Sequence, residues 1–295
     1  VNRLGGDTAV VGLWDEQSVW SQAANRLKTA IARARALALA LGMLAAVFGT
    51  TASQTMGGNK TIGQTFAFAA ALAAGTVPLL ARQTGPAAVR NWTRLRSMSE
   101  AVKSEVYVVL TGVAPYRGAD AESVLRERVD QLKTEASDLL PFVTGLSPVS
   151  RPLPAVADVD SYVEVRLKGQ IADYYRPKSL EVGLRLARVR RAELALGGAG
   201  AILGAVAGAF GVSQAAAWVA VAAMVGASVS AHSTTSKYAY QQVEFIRTAD
   251  ELERLVVRRS VRTVHTTESD DAFVRRCEEV ISVLNESWMV KWSTE

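Results

Sequence analysis

Between Leu194 and Ser236 the chain runs for 43 residues without an Asp, Glu, Lys or Arg. A helix rises about 1.5 Å per residue and a bilayer core takes about 20 apolar residues, so such a run holds two crossings and a turn. Gly211-Val212-Ser213-Gln214 is the cluster of breaker and polar residues inside it, and it divides the run into spans at about 194–211 and 214–233. Ala36–Asn59 and Thr61–Ala81 repeat the pattern, with Lys60 between them and spans at about 36–56 and 62–81. Ala/Gly-rich helices in the core of a large α-protein can also lack charge, but a second uncharged hairpin favours the membrane. The fold class that follows is an all-α membrane protein with four transmembrane helices in two hairpins.

Outside these runs the pattern becomes amphipathic. Residues 1–13, rich in Gly and small side chains, read as a loose leader. From Trp14 to Arg35, Trp20, Ala24, Leu27 and Ile31 recur at helical spacing, and this helix leads into the first span. After Pro86, Val89, Trp92, Leu95, Val102 and Val106 mark a second amphipathic helix, with Glu100, Lys103 and Glu105 expected to face water. Leu125, Val129, Leu132, Ala136 and Leu139 then form a short 4-3-4-3 seam, suited to a neighbouring helix of this chain or of another molecule. Pro141–Pro154 holds four of the eight prolines and reads as a linker, which places unit boundaries at 1–140, 141–157 and 158–295. A new helix begins near Asp158 and runs into the third span. Two more amphipathic helices follow at Tyr238–Val264 and Asp270–Trp292, the last carrying Phe273, Cys277, Val280 or Ile281, Leu284 and Trp288 on one stripe. No β pattern emerges.

The two halves look duplicated. Ala32–Gly42 aligns without a gap on Ala187–Gly197, identical at seven of eleven positions. The same offset sets Trp20 against Tyr175, and a shorter second turn sets Trp92 against Tyr240. Each half is a helix, a hairpin and a second helix. Both halves cross an even number of times and share one orientation, unlike the inverted repeats of many transporters.

The formal charge of +5 sits where topology needs it rather than where nucleic acid would. Arg33 and Arg35 precede the first span, Arg82 and Arg90 follow the second, Arg190 and Arg191 precede the third, and Lys237 follows the fourth. By the positive-inside rule both termini and the central region are cytoplasmic. The single cysteine, Cys277, rules out an internal disulfide. His232 and His265 are too far apart in sequence to suggest a metal site, and no nucleophile or acid–base cluster stands out, so no catalytic residue, metal or cofactor is assigned. Gly198-Ala-Gly200-x3-Gly204 has glycine spacing like a dinucleotide motif but lacks the preceding strand and the following acid. Gly200, Gly204 and Gly208 read instead as a small-residue helix-packing face, with Gly42 in a weaker version in the first span. No Asp, Glu, Lys or Arg lies inside a span, which argues against ion-coupled transport. Thr65, Thr76 and Ser228 are the mild polar groups that could line a pore, or could bond their own backbone.

The second half resembles the SLATT superfamily, two-transmembrane proteins associated with nucleotide-signalled bacterial conflict systems, and its tandem-hairpin members in particular. The resemblance is carried by Tyr162-x3-Arg166-x3-Gln170-x3-Tyr174-Tyr175 before the hairpin, by Tyr240 after it, and by Glu286 and Trp288 near the end. In the first half Trp20, Trp92 and Glu100-x2-Lys103 are the looser anchors. The resemblance implies a homo-oligomeric pore-type effector in the lipid bilayer, opened by a nucleotide-derived signal or by a nucleotide-sensing or nucleotide-producing partner protein, with no catalytic residues. A non-conducting scaffold for cytoplasmic partners is the alternative.

Overall fold

The structure is a computed structural model that describes residues 3–118 and 120–293, with the side chains of 3–7, 213, 235 and 283–293 outside the description. The described residues are helical or irregular, with no strand among them. Helix α1 (Arg3–Thr55) is followed by α2 (Lys60–Arg82), α3 (Pro86–Thr111) and α4 (Ala121–Glu135). A 3-10 turn at Ser137–Leu139 leads to the one-turn α5 (Leu140–Val143) and an irregular stretch. Then come α6 (Val159–Tyr162), two π-helical segments (Val163–Lys168 and Gln170–Tyr175), α7 (Arg176–Phe210), α8 (Ser213–Ser236), α9 (Tyr238–Val261) and α10 (Thr267–Ser293). Four helices are long and apolar enough to cross a membrane.

Residues 3–13 are not part of the expected loose leader, because α1 begins at Arg3. Val10, Leu13 and Trp14 are buried together with Gln17, Trp20 and Ala24. Their spacing extends the stripe of Trp20 backward by nearly three turns. Burying that face outweighs the modest helix cost of Gly12, which meets no neighbour.

The chain divides into two compact units that cut across its sequence halves. One comprises residues 1–29, 86–179 and 243–295; the other comprises 30–85 and 180–242. Helices α1, α7 and α9 each contribute residues to both.

In the first, polar unit α3 is the central element. Leu95, Val102 and Val106 on it are fully buried, and α10 and α4 both pack along it. The 125–139 seam therefore closes within the chain: Leu125, Val129, Ala136 and Leu139 are all buried, the last two beyond the end of α4. The proline-rich stretch is pinned to α1. Trp14 Nε1 donates to the Pro152 carbonyl at 3.1 Å, and Ser18 Oγ accepts from the Val149 amide at 2.8 Å. The Arg151 guanidinium lies 3.7 Å from the centre of the Trp14 ring.

In the second, apolar unit each hairpin closes through small residues and rings. Phe48 and Phe66 pack at 5.7 Å across the first. A Cβ on Gly200 would lie 3.8 Å from Ala222 Cβ, and one on Gly204 would lie 4.0 Å from Val219 Cγ2, whereas Gly42 and Gly208 have no atom within 4 Å. Gln54 Nε2 donates to the Gln214 carbonyl at 3.1 Å, joining the turn ends of the two hairpins. At the second turn Gly211 takes a positive φ of 64°, open to glycine without strain. The first turn is tighter: a Cβ on Gly63 would stand 2.8 Å from Met56 Cα. Gly63→Val is therefore expected to lower stability in detergent by about 1–3 kcal/mol through overpacking against backbone. Gly75→Ala, in open space, serves as a near-neutral control; thermal unfolding of the two purified variants checks the difference.

Candidate functional site

The polar unit is built around a buried cation. Asp158 opens α6, accepting from the Ser161 amide at 2.8 Å, and the helix then widens into π-helical bonding from Val163 to Tyr175, interrupted at Gly169. A chain bonded i→i+5 turns more slowly per residue than an α-helix, so its inward face repeats every four to five positions instead of about 3.6. Tyr162, Arg166, Leu167, Ile171 and Tyr175 follow that wider period, and all are buried. The four-residue spacing from Tyr162 through Arg166 and Gln170 to Tyr174 is the sequence trace of this geometry.

Arg166 is 1% exposed. Its Nε donates to Glu278 Oε1 at 3.1 Å and its Nη2 to Glu278 Oε2 at 3.0 Å, a two-pronged pairing with α10. Tyr162 Oη donates to the same Oε1 at 2.8 Å. The Tyr107 ring of α3 lies 4.6 Å from the guanidinium, and Gln170 Oε1 accepts from Nη1 at 3.4 Å. Glu100 of α3 stands 3.9 Å from Nη2 and pairs with Arg96 at 2.8 Å. Burial raises the Glu278 carboxyl, but the Arg166 charge and its hydrogen bonds outweigh this and hold it below the ordinary carboxylate value. Glu100 is likewise held low, burial being opposed by Arg96, Lys103 and Arg166. Burial, and then the Arg166 charge, push the Lys103 ammonium down to about 8.

Glu100 and Lys103 thus depart from the expectation that they face water. Glu100 is 6% exposed and Lys103 half-buried, with Arg96 and Arg166 beside the carboxylate and the carboxylates of Glu100 and Glu278 opposing the loss of the ammonium's charge. One of these, Glu278, escaped sequence reading: the true inward stripe of α10 is Val274, Cys277, Glu278 and Ile281, all buried. Glu100 Oε2 and Ser97 Oγ are buried without a hydrogen-bond partner. A cavity of about 550 Å³ is lined by Glu100, Glu278, Ser104 and Arg275, and another of about 250 Å³ by Glu100, Arg96, Gln170 and Tyr174.

Of the other residues singled out from sequence, Trp20 and Trp92 are buried in this unit, and Tyr240 is half-buried on α9. The side chains of Glu286 and Trp288 lie outside the described residues. In the apolar unit Thr65, Thr76 and Ser228 each donate to the carbonyl four residues earlier, at 2.8–2.9 Å. Among the described residues no three His, Cys, Asp or Glu side chains group as metal ligands.

Four membrane-length helices with a folded polar unit define a multi-pass helical membrane protein. Residues 162–288 match the family model SLATT_1, described as SMODS and SLOG-associating 2TM effector domain 1. Residues 18–123 match a second family, described as a protein of unknown function (DUF4231). No curated protein and no solved structure matches the chain. The first match takes in Tyr162, Arg166, Gln170 and Glu278, whereas Arg96, Glu100 and Tyr107 of α3 fall in the second.

Removing one member of a buried pair leaves the other charge without compensation, at a cost of about 3–5 kcal/mol. Arg166→Met and Glu278→Gln are each expected to destabilise on this scale. Arg166→Lys should not restore stability, since an ammonium cannot bridge both carboxylate oxygens; denaturant titration of the three variants checks this. Lys103 yields a pH prediction of definite sign. Its folded value of about 8 lies below the unfolded one, so between about pH 8 and pH 10 the unfolded chain holds the proton that the folded chain has released. Stability should rise with pH across that window in the wild type and rise less in Lys103→Met, as read by unfolding temperature.

Proposed function

We propose that the chain is a homo-oligomeric, pore-forming effector of the bacterial inner membrane, both termini cytoplasmic, opened through its polar unit by a nucleotide-derived signal or a partner protein. The observation that carries this reading is the sharing of helices. Because α1 and α7 run on from the polar unit into the hairpins, and α9 enters it directly after the second, a change in the packing of the charged cluster has a continuous helical route to the spans. The absence of Asp, Glu, Lys and Arg from the spans supports a pore closed by an apolar constriction rather than a coupled transporter. The matched domain is described as an effector that associates with SMODS and SLOG, which supports a nucleotide-linked partner. The basic residues flanking the spans support the orientation.

A second reading, a non-conducting scaffold for cytoplasmic partners, is favoured by one observation. Thr65, Thr76 and Ser228 direct their hydroxyl protons to their own helices, so they do not present a donor stripe. Reconstitution in planar bilayers separates the two. The pore reading expects unitary currents that appear or increase with cyclic nucleotides, ADP-ribose derivatives or an added partner protein. Electrical silence from correctly inserted oligomers under all of these conditions supports the scaffold instead.

A further inference from the structure

The 250 Å³ cavity of the polar unit carries groups that the Arg166–Glu278 pair does not require. Its described lining sets three cations, Lys28, Arg96 and Lys178, against one carboxylate, Glu100, and adds the rings of Trp92 and Tyr174 among others. The cations come from three different helices, α1, α3 and α7. We propose that this cavity binds a mononucleotide, with the base against the rings and the phosphate among the three cations. As the place where a signal engages the effector, the site rests on the reading above; as a binding site it is open to separate test.

Lys28 is exposed, Arg96, Tyr174 and Lys178 are half-buried and Trp92 is buried, so cations and rings are both present from the mouth of the cavity inward. Lys28 Nζ sits 5.9 Å from the centre of the Trp92 ring, which holds one cation beside the aromatic wall. Tyr174 is fixed edge-on by Tyr175 at 5.3 Å and by Phe245 at 5.9 Å, giving a ring set in place before any base arrives. Glu100, on the lining, has Oε1 paired to Arg96 and Oε2 without a hydrogen-bond donor. A ring N–H or exocyclic amine of a base is a donor of the kind it lacks. The volume, just under the roughly 300 Å³ at which common ligand pockets begin, accepts one base and sugar rather than a dinucleotide. A sugar-phosphate headgroup would use the cations and leave the rings idle.

The test is calorimetric titration of the full chain in lipid nanodiscs with 5′-AMP and 5′-GMP, alongside adenosine, guanosine, ribose 5-phosphate and inorganic phosphate. The expected result is saturable binding of at least one mononucleotide, with its nucleoside and the base-free phosphates each weaker by at least about tenfold. Lys28→Gln/Lys178→Gln and, separately, Tyr174→Leu should each weaken that binding by a similar factor, with a cooperative unfolding transition showing that each variant is folded. Equal affinity for inorganic phosphate would make this a bare anion site and overturn the proposal, as would an absence of mononucleotide binding by folded protein or an unaffected double variant. Conductance is read independently. Binding without current sinks the pore and leaves the site, while currents opened by a protein in the absence of nucleotide binding sink the site and leave the pore.

Discussion

A guanidinium cannot shed its charge to escape burial, and Arg166 is almost completely enclosed. Everything around it answers that constraint. Glu278 meets two of its nitrogens, Tyr162 orders the carboxylate, Tyr107 offers a ring face, and Glu100 adds a second, more distant negative charge. Because these partners come from α3, α6 and α10, satisfying one cation fixes the register of three elements at once. A misregistered α10 would leave an uncompensated charge inside, so the penalty selects one packing among many that are comparably apolar.

The apolar unit obeys a different rule. Its membrane spans carry no charge to be matched, and contacts such as Phe48 with Phe66 and Gly200 with Ala222 are generic and close-packed. Specificity thus resides mainly in the polar unit and tolerance mainly in the apolar one. Joining the two through shared helices gives a molecule in which a discriminating region is covalently continuous with a permissive one.

What the sequence revealed divides along the same line. The four spans were legible because composition alone sets them: a bilayer admits uncharged helices whatever their tertiary partners. The start of α3 at Pro86, the turn at Gly211 and the start at Asp158 were legible from local breakers and caps. The charged cluster was not, because Arg166 and Glu278 stand 112 positions apart and each, viewed on its own helix, passes for a solvent-facing group. The family resemblance did point to Tyr162, Arg166, Gln170 and Tyr175, which the structure brings together, but it gave no hint of Glu278. The π-helical stretch left a visible trace in its four-residue spacing, easily taken for a slightly irregular α face. The helical course of the N-terminal residues was obscured by glycines, although Val10 and Leu13 continued the stripe of Trp20.

The position of Glu278 in the chain also orders the molecule's assembly in time. Translation proceeds toward the C-terminus, so Arg166 leaves the ribosome well before the carboxylate that neutralises it, and the whole second hairpin lies between them. During that interval the cation stays hydrated and the polar unit cannot close around it. The polar unit closes only once α10 has emerged, and a nascent chain halted between α8 and α10 carries all four apolar helices but lacks the carboxylate that completes its core.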